Sequence, residues 1–315
     1  MTERWSSKGG RSYPARQGAP PPFEFFAVAR PPAGAARFGL NLSTIRIEIE
    51  GLHASLADDL RARYGPYGDE GVPREGAALR IRFAREERDY FIEPPDVAEF
   101  NPVWLACDDR QVRYMGHQLA GWFDTKARRG EILLTRGAFE PELRAIENYL
   151  RCAVAWCAAE RGGALVHAAS AVRNGKAYLF YGESGAGKST LSAVSRRGRV
   201  VSDDLSLLLP RPEGGLDLIG SPFRGTYEEG EPVVGRFPLA AGFRIVKDVR
   251  AEVRSVPRAV AFGQLVGNLT FVAEAFRERP DLFASIEAAF AVVPLNHLHF
   301  AKDDSFWDAI DAAGH

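Results

Sequence analysis

A strand, a glycine-rich loop and a helix follow one another without a break over residues 176–197, and this succession constrains the fold more than any other feature of the chain. The apolar run KAYLFY (176–181) reads as a buried strand. GESGAGKS (182–189) matches the pattern G-x-x-x-x-G-K-[ST], and KSTLSAVSRR opens a short helix that Gly198 ends. In such a loop Gly182, Gly185 and Gly187, with Glu183, Ser184 and Ala186 between them, turn backbone N–H groups toward phosphate oxygens. The helix that begins at Lys188, Ser189 and Thr190 adds a favourable dipole. Lys188 is expected to neutralise β- and γ-phosphate charge, and the Ser189 hydroxyl to ligate Mg²⁺. The ligand implied is ATP with Mg²⁺.

The flanks carry the chemistry. RVVS (199–202) reads as the next strand and runs directly into Asp203-Asp204. A crossover helix implies parallel strands that end on one edge of the sheet, where ligands of α/β proteins bind. The aspartate pair therefore arrives beside the loop, where one carboxylate can face Mg²⁺ and another can take a proton from a substrate hydroxyl. Upstream, ALVHAASAV (164–172) reads as a strand, and Asn174-Gly175 as a two-residue hairpin turn. That turn pairs Arg173 with Lys176 and, counted back, sets His167 opposite Gly182. A histidine there, with a near-neutral pKa, suits orienting Asp204 or touching the transferring phosphate.

With His167, the GESGAGKST loop and Asp203-Asp204 in this order and spacing, residues 163–208 resemble the C-terminal kinase domain of HPr kinase/phosphorylase. The resemblance is greatest to the shorter HPr-kinase-like proteins of bacterial gene clusters, and it continues more weakly through GSPFRGT, FPLAAGFRIVKD and VPLNHLHFAKDDSFW. It implies an α/β, P-loop nucleotide-binding core related to that of phosphoenolpyruvate carboxykinase, not a full doubly wound sheet. It implies catalytic roles for Lys188 on the phosphates, Asp204 as acid/base, and Asp203 and His167 beside it. Ser189 becomes a metal ligand, and Glu228 or Glu229 stands where the family has its second one, without the family's surroundings. The activity implied is transfer of the γ-phosphate of ATP to a serine of a protein or peptide. HPr kinases form rings, so a homo-oligomer is implied as well. The family's C-terminal loop for the reverse, phosphorolytic reaction has no clear counterpart.

The rest of the chain frames this segment. Residues 1–36, rich in Pro, Gly, Ser, Arg and Ala, read as a disordered leader in which Phe23 to Val28 can touch the body. Residues 37–138 read as a small, mostly β, α+β unit without a motif for chemistry, suited to acceptor recognition or regulation. LSTIRIEIEGL, ALRIRFAR and RDYFIEP alternate as strands, and one helix falls near 53–63. A long helix fits 139–160, with Leu143, Ile146, Leu150, Ala153, Val154 and Cys157 at helical spacing, and opens the kinase-like unit 139–315. Forty Lys and Arg against 41 Asp and Glu argue against a nucleic-acid partner bound by bulk charge. Three cysteines without metal or redox spacing, no apolar run long enough for a bilayer, and no signal-peptide layout lead to the expectation of a cytoplasmic protein without membrane contact. Two other readings of the loop stand beside the kinase: a nucleotide-dependent switch and a catalytically silent ATP-binding scaffold. Asp217-Leu218-Ile219-Gly220 fits the D-x-x-G of a GTPase switch, but no N-K-x-D accompanies it.

Overall fold

The computed structural model describes residues 19–69, 78–94, 103–108, 111–225 and 230–315. The protein is a mixed α/β structure with two eight-stranded sheets and, among the described residues, seven α-helices. It divides into two compact units, Met1–Ala153 and Val154–His315.

The first unit begins with α1 (Phe23–Phe26) and is built on strands β1 (Ala36–Leu42), β2 (Ile45–Leu52), β3 (Gly68–Asp69), β4 (Leu79–Arg85), β5 (Trp104–Cys107), β6 (Gln111–Met115), β7 (Leu119–Asp124) and β8 (Arg129–Leu134). Their order in the sheet is β3-β1-β2-β4-β8-β7-β6-β5. Alternation explains the centre of the sheet, where Ile45, Ile47, Ile49, Ile81 and Phe83 are buried. The helix α2 (Ala54–Tyr64) buries Leu56, Ala57, Leu60 and Tyr64, one face at helical spacing.

Two expectations are corrected in this unit. From residue 19 the expected disordered leader is folded; residues 1–18 lie outside the described ones. Phe25 and Phe26 join a core with Phe91, Met115 and Leu133, at about 1.5–3 kcal/mol for each fully buried ring. Arg30 is buried in an ion pair with Glu86 at 2.7 Å, and its guanidinium also donates to the Phe25 and Val28 carbonyls. Few but large contacts override a composition that favours disorder. The segment RDYFIEP is not a strand. The amides of Phe91 and Ile92 both donate to the single carbonyl of His117, and Arg88 lies over the Phe25 and Phe91 rings. These contacts replace a ladder.

The helix α3 (Glu142–Ala159) follows, with Ile146, Leu150, Ala153, Val154 and Cys157 all buried. The second unit carries strands β9 (Ala164–Arg173), β10 (Lys176–Tyr181), β11 (Arg199–Ser202), β12 (Leu205–Pro210), β13 (Leu216–Ile219), β14 (Arg236–Lys247), β15 (Glu252–Ser255) and β16 (Leu295–Phe300). Between them run α4 (Lys188–Val194), α5 (Arg258–Val266) and α6 (Pro280–Phe290), with α7 (Phe306–Ala312) last. Two long strands are shared between ladders. β9 pairs with β12 over Ala164 to His167, then with β10 over Ala168 to Arg173. β14 pairs with β13 at its start, then runs parallel to β10 and β16.

Asn174 and Gly175 have φ of 52° and 75°, the left-handed pair that a type I′ turn needs. The turn fixes the hairpin register from Arg173↔Lys176 to Ala168↔Tyr181. The strands on either side of the phosphate loop's helix, β10 and β11, are parallel in direction but are not neighbours. Each pairs antiparallel with β9, which lies between them. Their carboxyl ends still leave on one edge. Beneath that edge Phe180, Phe243, Leu298, Phe300 and Trp307 form a buried core.

Candidate functional site

The site lies where β9 passes from one ladder to the other. At that point His167 pairs with Leu205, while Ala168 pairs with Tyr181. The switch leaves room at the carboxyl ends of β10 and β11 for the loop and the aspartates. The loop closes on itself, the amide of Ala186 donating to the Glu183 carbonyl at 3.0 Å. Gly185 (φ 76°) and Gly187 (φ 114°) hold backbone conformations that a side chain would strain. Gly187 caps α4, and its carbonyl accepts from Leu191. Lys188 is buried, and its ammonium donates to the carbonyls of Gly182 (2.8 Å) and Glu183 (3.2 Å). Ser189 and Thr190 are exposed at the start of the helix.

Asp203 and Asp204 occupy a turn organised by Ser202. Its hydroxyl accepts from the amides of Asp204 and Leu205, both at 3.1 Å, and donates to the Phe223 carbonyl at 2.9 Å. The two carboxylates then part. Asp203 is buried and accepts the Gly225 amide at 2.7 Å. Asp204 is partly exposed and approaches His167, with Nε2 3.5 Å from Oδ1. The backbone ties the same point together: Ala168 donates to the Asp204 carbonyl and His167 to that of Asn268. A Cβ on Gly225 would stand 3.0 Å from an Asp203 carboxylate oxygen and from the Asp204 Cβ, so a side chain there would press on both aspartates.

An open cavity of about 430 Å³ brings together His167, Asp203 and Asp204 with Ser184, Gly185, Gly187, Lys188, Ser189 and Thr190. Of the loop residues singled out in the sequence, Gly182, Glu183 and Ala186 do not line it; Glu183 and Ala186 line a second cavity on the other side of the loop. Glu228 and Glu229, the candidates for a further metal ligand, lie outside the described residues. Asp217 belongs to β13 and is held by Arg236 at 2.9 Å and Arg211 at 3.4 Å, a structural ion-pair cluster. The reading of D-x-x-G as a switch finds no support there.

The charged groups in the cavity act on one another. Burial lowers the His167 pKa below the ordinary imidazole value, the Lys188 ammonium lowers it further, and Asp204 opposes both. His167 is thus neutral at pH 7, able to accept a proton or to donate from one nitrogen. Burial also lowers the pKa of Lys188, while Asp204 raises it. An anion bound beside these two groups would favour their charged forms.

Ser202 and Gly225 were not singled out in the sequence. A serine directly before two aspartates is a signal for a side-chain-stabilised turn. For Gly225 no local signal exists, because its need arises from packing against Asp203. No protein-family model matches the chain, and no curated protein matches it. Among the described residues no helix is long and apolar enough to cross a membrane.

Proposed function

We propose that the chain is an ATP-dependent kinase of the HPr-kinase-like type, moving the γ-phosphate to the serine hydroxyl of a protein or peptide. One observation carries this reading: Asp204 and His167, 3.5 Å apart, share a cavity with Lys188 and Ser189 of a G-x-x-x-x-G-K-S loop. A phosphate site alone needs no carboxylate opposite its lysine. A hydroxyl acceptor needs a base within reach. The finer fold assignment, an HPr kinase/phosphoenolpyruvate carboxykinase-like P-loop core, is part of the same proposal. It rests on the His167 hairpin, the loop between β10 and α4, and the aspartate pair after β11.

The residues fit the group that the reading requires. Glycines at positive φ let the loop backbone face a phosphate chain, and Lys188 already binds oxygen atoms at the loop's mouth. Among the described residues, no cluster of three or more His, Cys, Asp or Glu could hold a metal unaided. Mg²⁺ does not ask for one, since it keeps waters and binds through one or two carboxylates plus phosphate oxygens. Ser189 and the aspartate turn would hold it, with Glu228 or Glu229 as a further candidate. When bound, Mg-ATP supplies a phosphoryl group whose charge is partly neutralised.

This chain's residues then act as follows. Lys188 leaves the Gly182 and Glu183 carbonyls for the phosphates. Asp204 accepts the proton of the incoming hydroxyl. His167, with Nε2 3.5 Å from Oδ1, steadies the Asp204 carboxylate. Asp203 keeps the turn against Gly225. The test is incubation with γ-labelled ATP and the proteins and peptides encoded beside this gene. Label on a serine of one of them, absent with Lys188→Ala, is expected. No transfer to any of them, with ATP binding intact, would favour the silent scaffold.

A further inference from the structure

A second cavity, of about 330 Å³, lies across the phosphate loop from the first, between Glu183–Ala186 and the end of β14 at Arg244–Lys247. We infer that it seats the nucleoside end of the nucleotide, with the base against Val246, the sugar toward Lys247 and the first phosphate toward Arg244. The inference rests on the kinase reading and deepens it.

The argument begins with in-line transfer. The attacking and leaving oxygens stand on opposite sides of the transferring phosphorus. His167 and Asp204 fix the acceptor's side, so the leaving diphosphate and its nucleoside extend the other way. Sheet order supplies the direction. β9 and β11 flank one side of β10, while β14 and β16 flank the other. Parallel pairing of Tyr181 with Arg244 brings the end of β14 out beside the loop, and a Cβ on Gly182 would lie 3.7 Å from the Ile245 carbonyl. Ser184 and Gly185 line both cavities, so one ligand can cross from one to the other over the loop's crest.

The lining suits a nucleoside. Ala186, Ile245 and Val246 give an apolar wall, and Arg244, Lys247 and Glu183 give a polar rim. That mixture, at this volume, is usual for small-molecule sites. The Arg244–Glu183 pair is loose: 3.5 Å, with the Glu183 side chain 89% exposed. A pair of that kind is weak and can give way to a phosphate.

The test compares Mg-ATP with Mg-tripolyphosphate, which has the phosphates and no nucleoside, by calorimetry on the full chain. Wild type is expected to bind Mg-ATP more tightly. Val246→Trp, which fills the cavity, should weaken Mg-ATP by about tenfold or more and leave tripolyphosphate within about twofold. Retained tripolyphosphate binding shows that the variant is folded. If it does not fold, Lys247→Ala, at an exposed position, should selectively weaken Mg-ATP. Equal losses for both ligands, or none for either, would overturn the nucleoside seat and leave the phosphate reading standing. Wild type binding neither ligand would overturn both.

Discussion

Ser202 makes three hydrogen bonds from a fully buried hydroxyl, and two of them hold the amides that start the aspartate turn. Ser202→Ala leaves those amides without their acceptor, at a cost of about 1–3 kcal/mol. Urea denaturation should show that loss. The activity of the variant should fall through kcat more than through ATP affinity, because the turn carries the base while the phosphate loop, which Ser202 does not touch, grips the nucleotide. Equal kcat in both proteins would end its positioning role. Lys188 makes the opposite prediction. Lys188→Ala removes a phosphate-directed cation and should abolish measurable Mg-ATP binding in calorimetry while leaving the fold intact. Unchanged affinity would remove Lys188 from that role. The difference between the two residues explains what was legible in sequence. Lys188 belongs to a contiguous motif whose spacing is set by phosphate geometry. Gly225 matters because Asp203, far off in the chain, packs against it and accepts its amide.

At the scale of elements, the hairpin β9–β10 is the device that sets His167 beside the loop. Its register follows from Asn174-Gly175 alone, which is why counting residues sufficed to find it. Gly175→Val should cost about 1–2 kcal/mol through the left-handed strain on a side-chain-bearing residue. The expected readout is a lower urea midpoint at unchanged m-value; an unchanged midpoint would contradict it. Other elements were less legible. The change of partner along β9 leaves no trace in ALVHAASAV, since apolar residues are buried on both sides of the change, Leu165 and Val166 against β12 and Ala168 and Ala169 against β10. The insertion of β9 between β10 and β11 was equally hidden, because a crossover helix fixes direction without fixing adjacency. The segment Arg88 to Pro94 alternates like a strand, yet its amides converge on the His117 carbonyl. The folding of residues 19–36 rests on Phe25, Phe26 and Arg30, whose partners Phe91 and Glu86 are distant in sequence.

Across the whole molecule, protonation links the site to stability. Burial holds the pKa of His167 below its ordinary value, and it does the same for His297 and His315. The unfolded chain therefore takes up protons that the folded chain refuses, and stability is lost as pH falls through the ordinary imidazole value toward the folded one. Glu131 and Glu140, raised by burial, run the other way at lower pH, so a difference between variants isolates the histidine. Wild type should lose stability relative to His167→Gln between pH 7.5 and pH 5.5, values that bracket the ordinary imidazole pKa of about 6.5. Parallel curves would contradict a depressed His167. The central claim is that the cavity beside the phosphate loop is a catalytic site, with Asp204 as its base. It is tested most directly by single-turnover transfer of labelled phosphate from ATP to the acceptor peptide, wild type against Asp204→Asn, with ATP affinity measured on both. The account predicts a fall of about 10²–10⁴-fold in transfer, with ATP bound at least as tightly as in wild type. Equal transfer rates in the two proteins would contradict it.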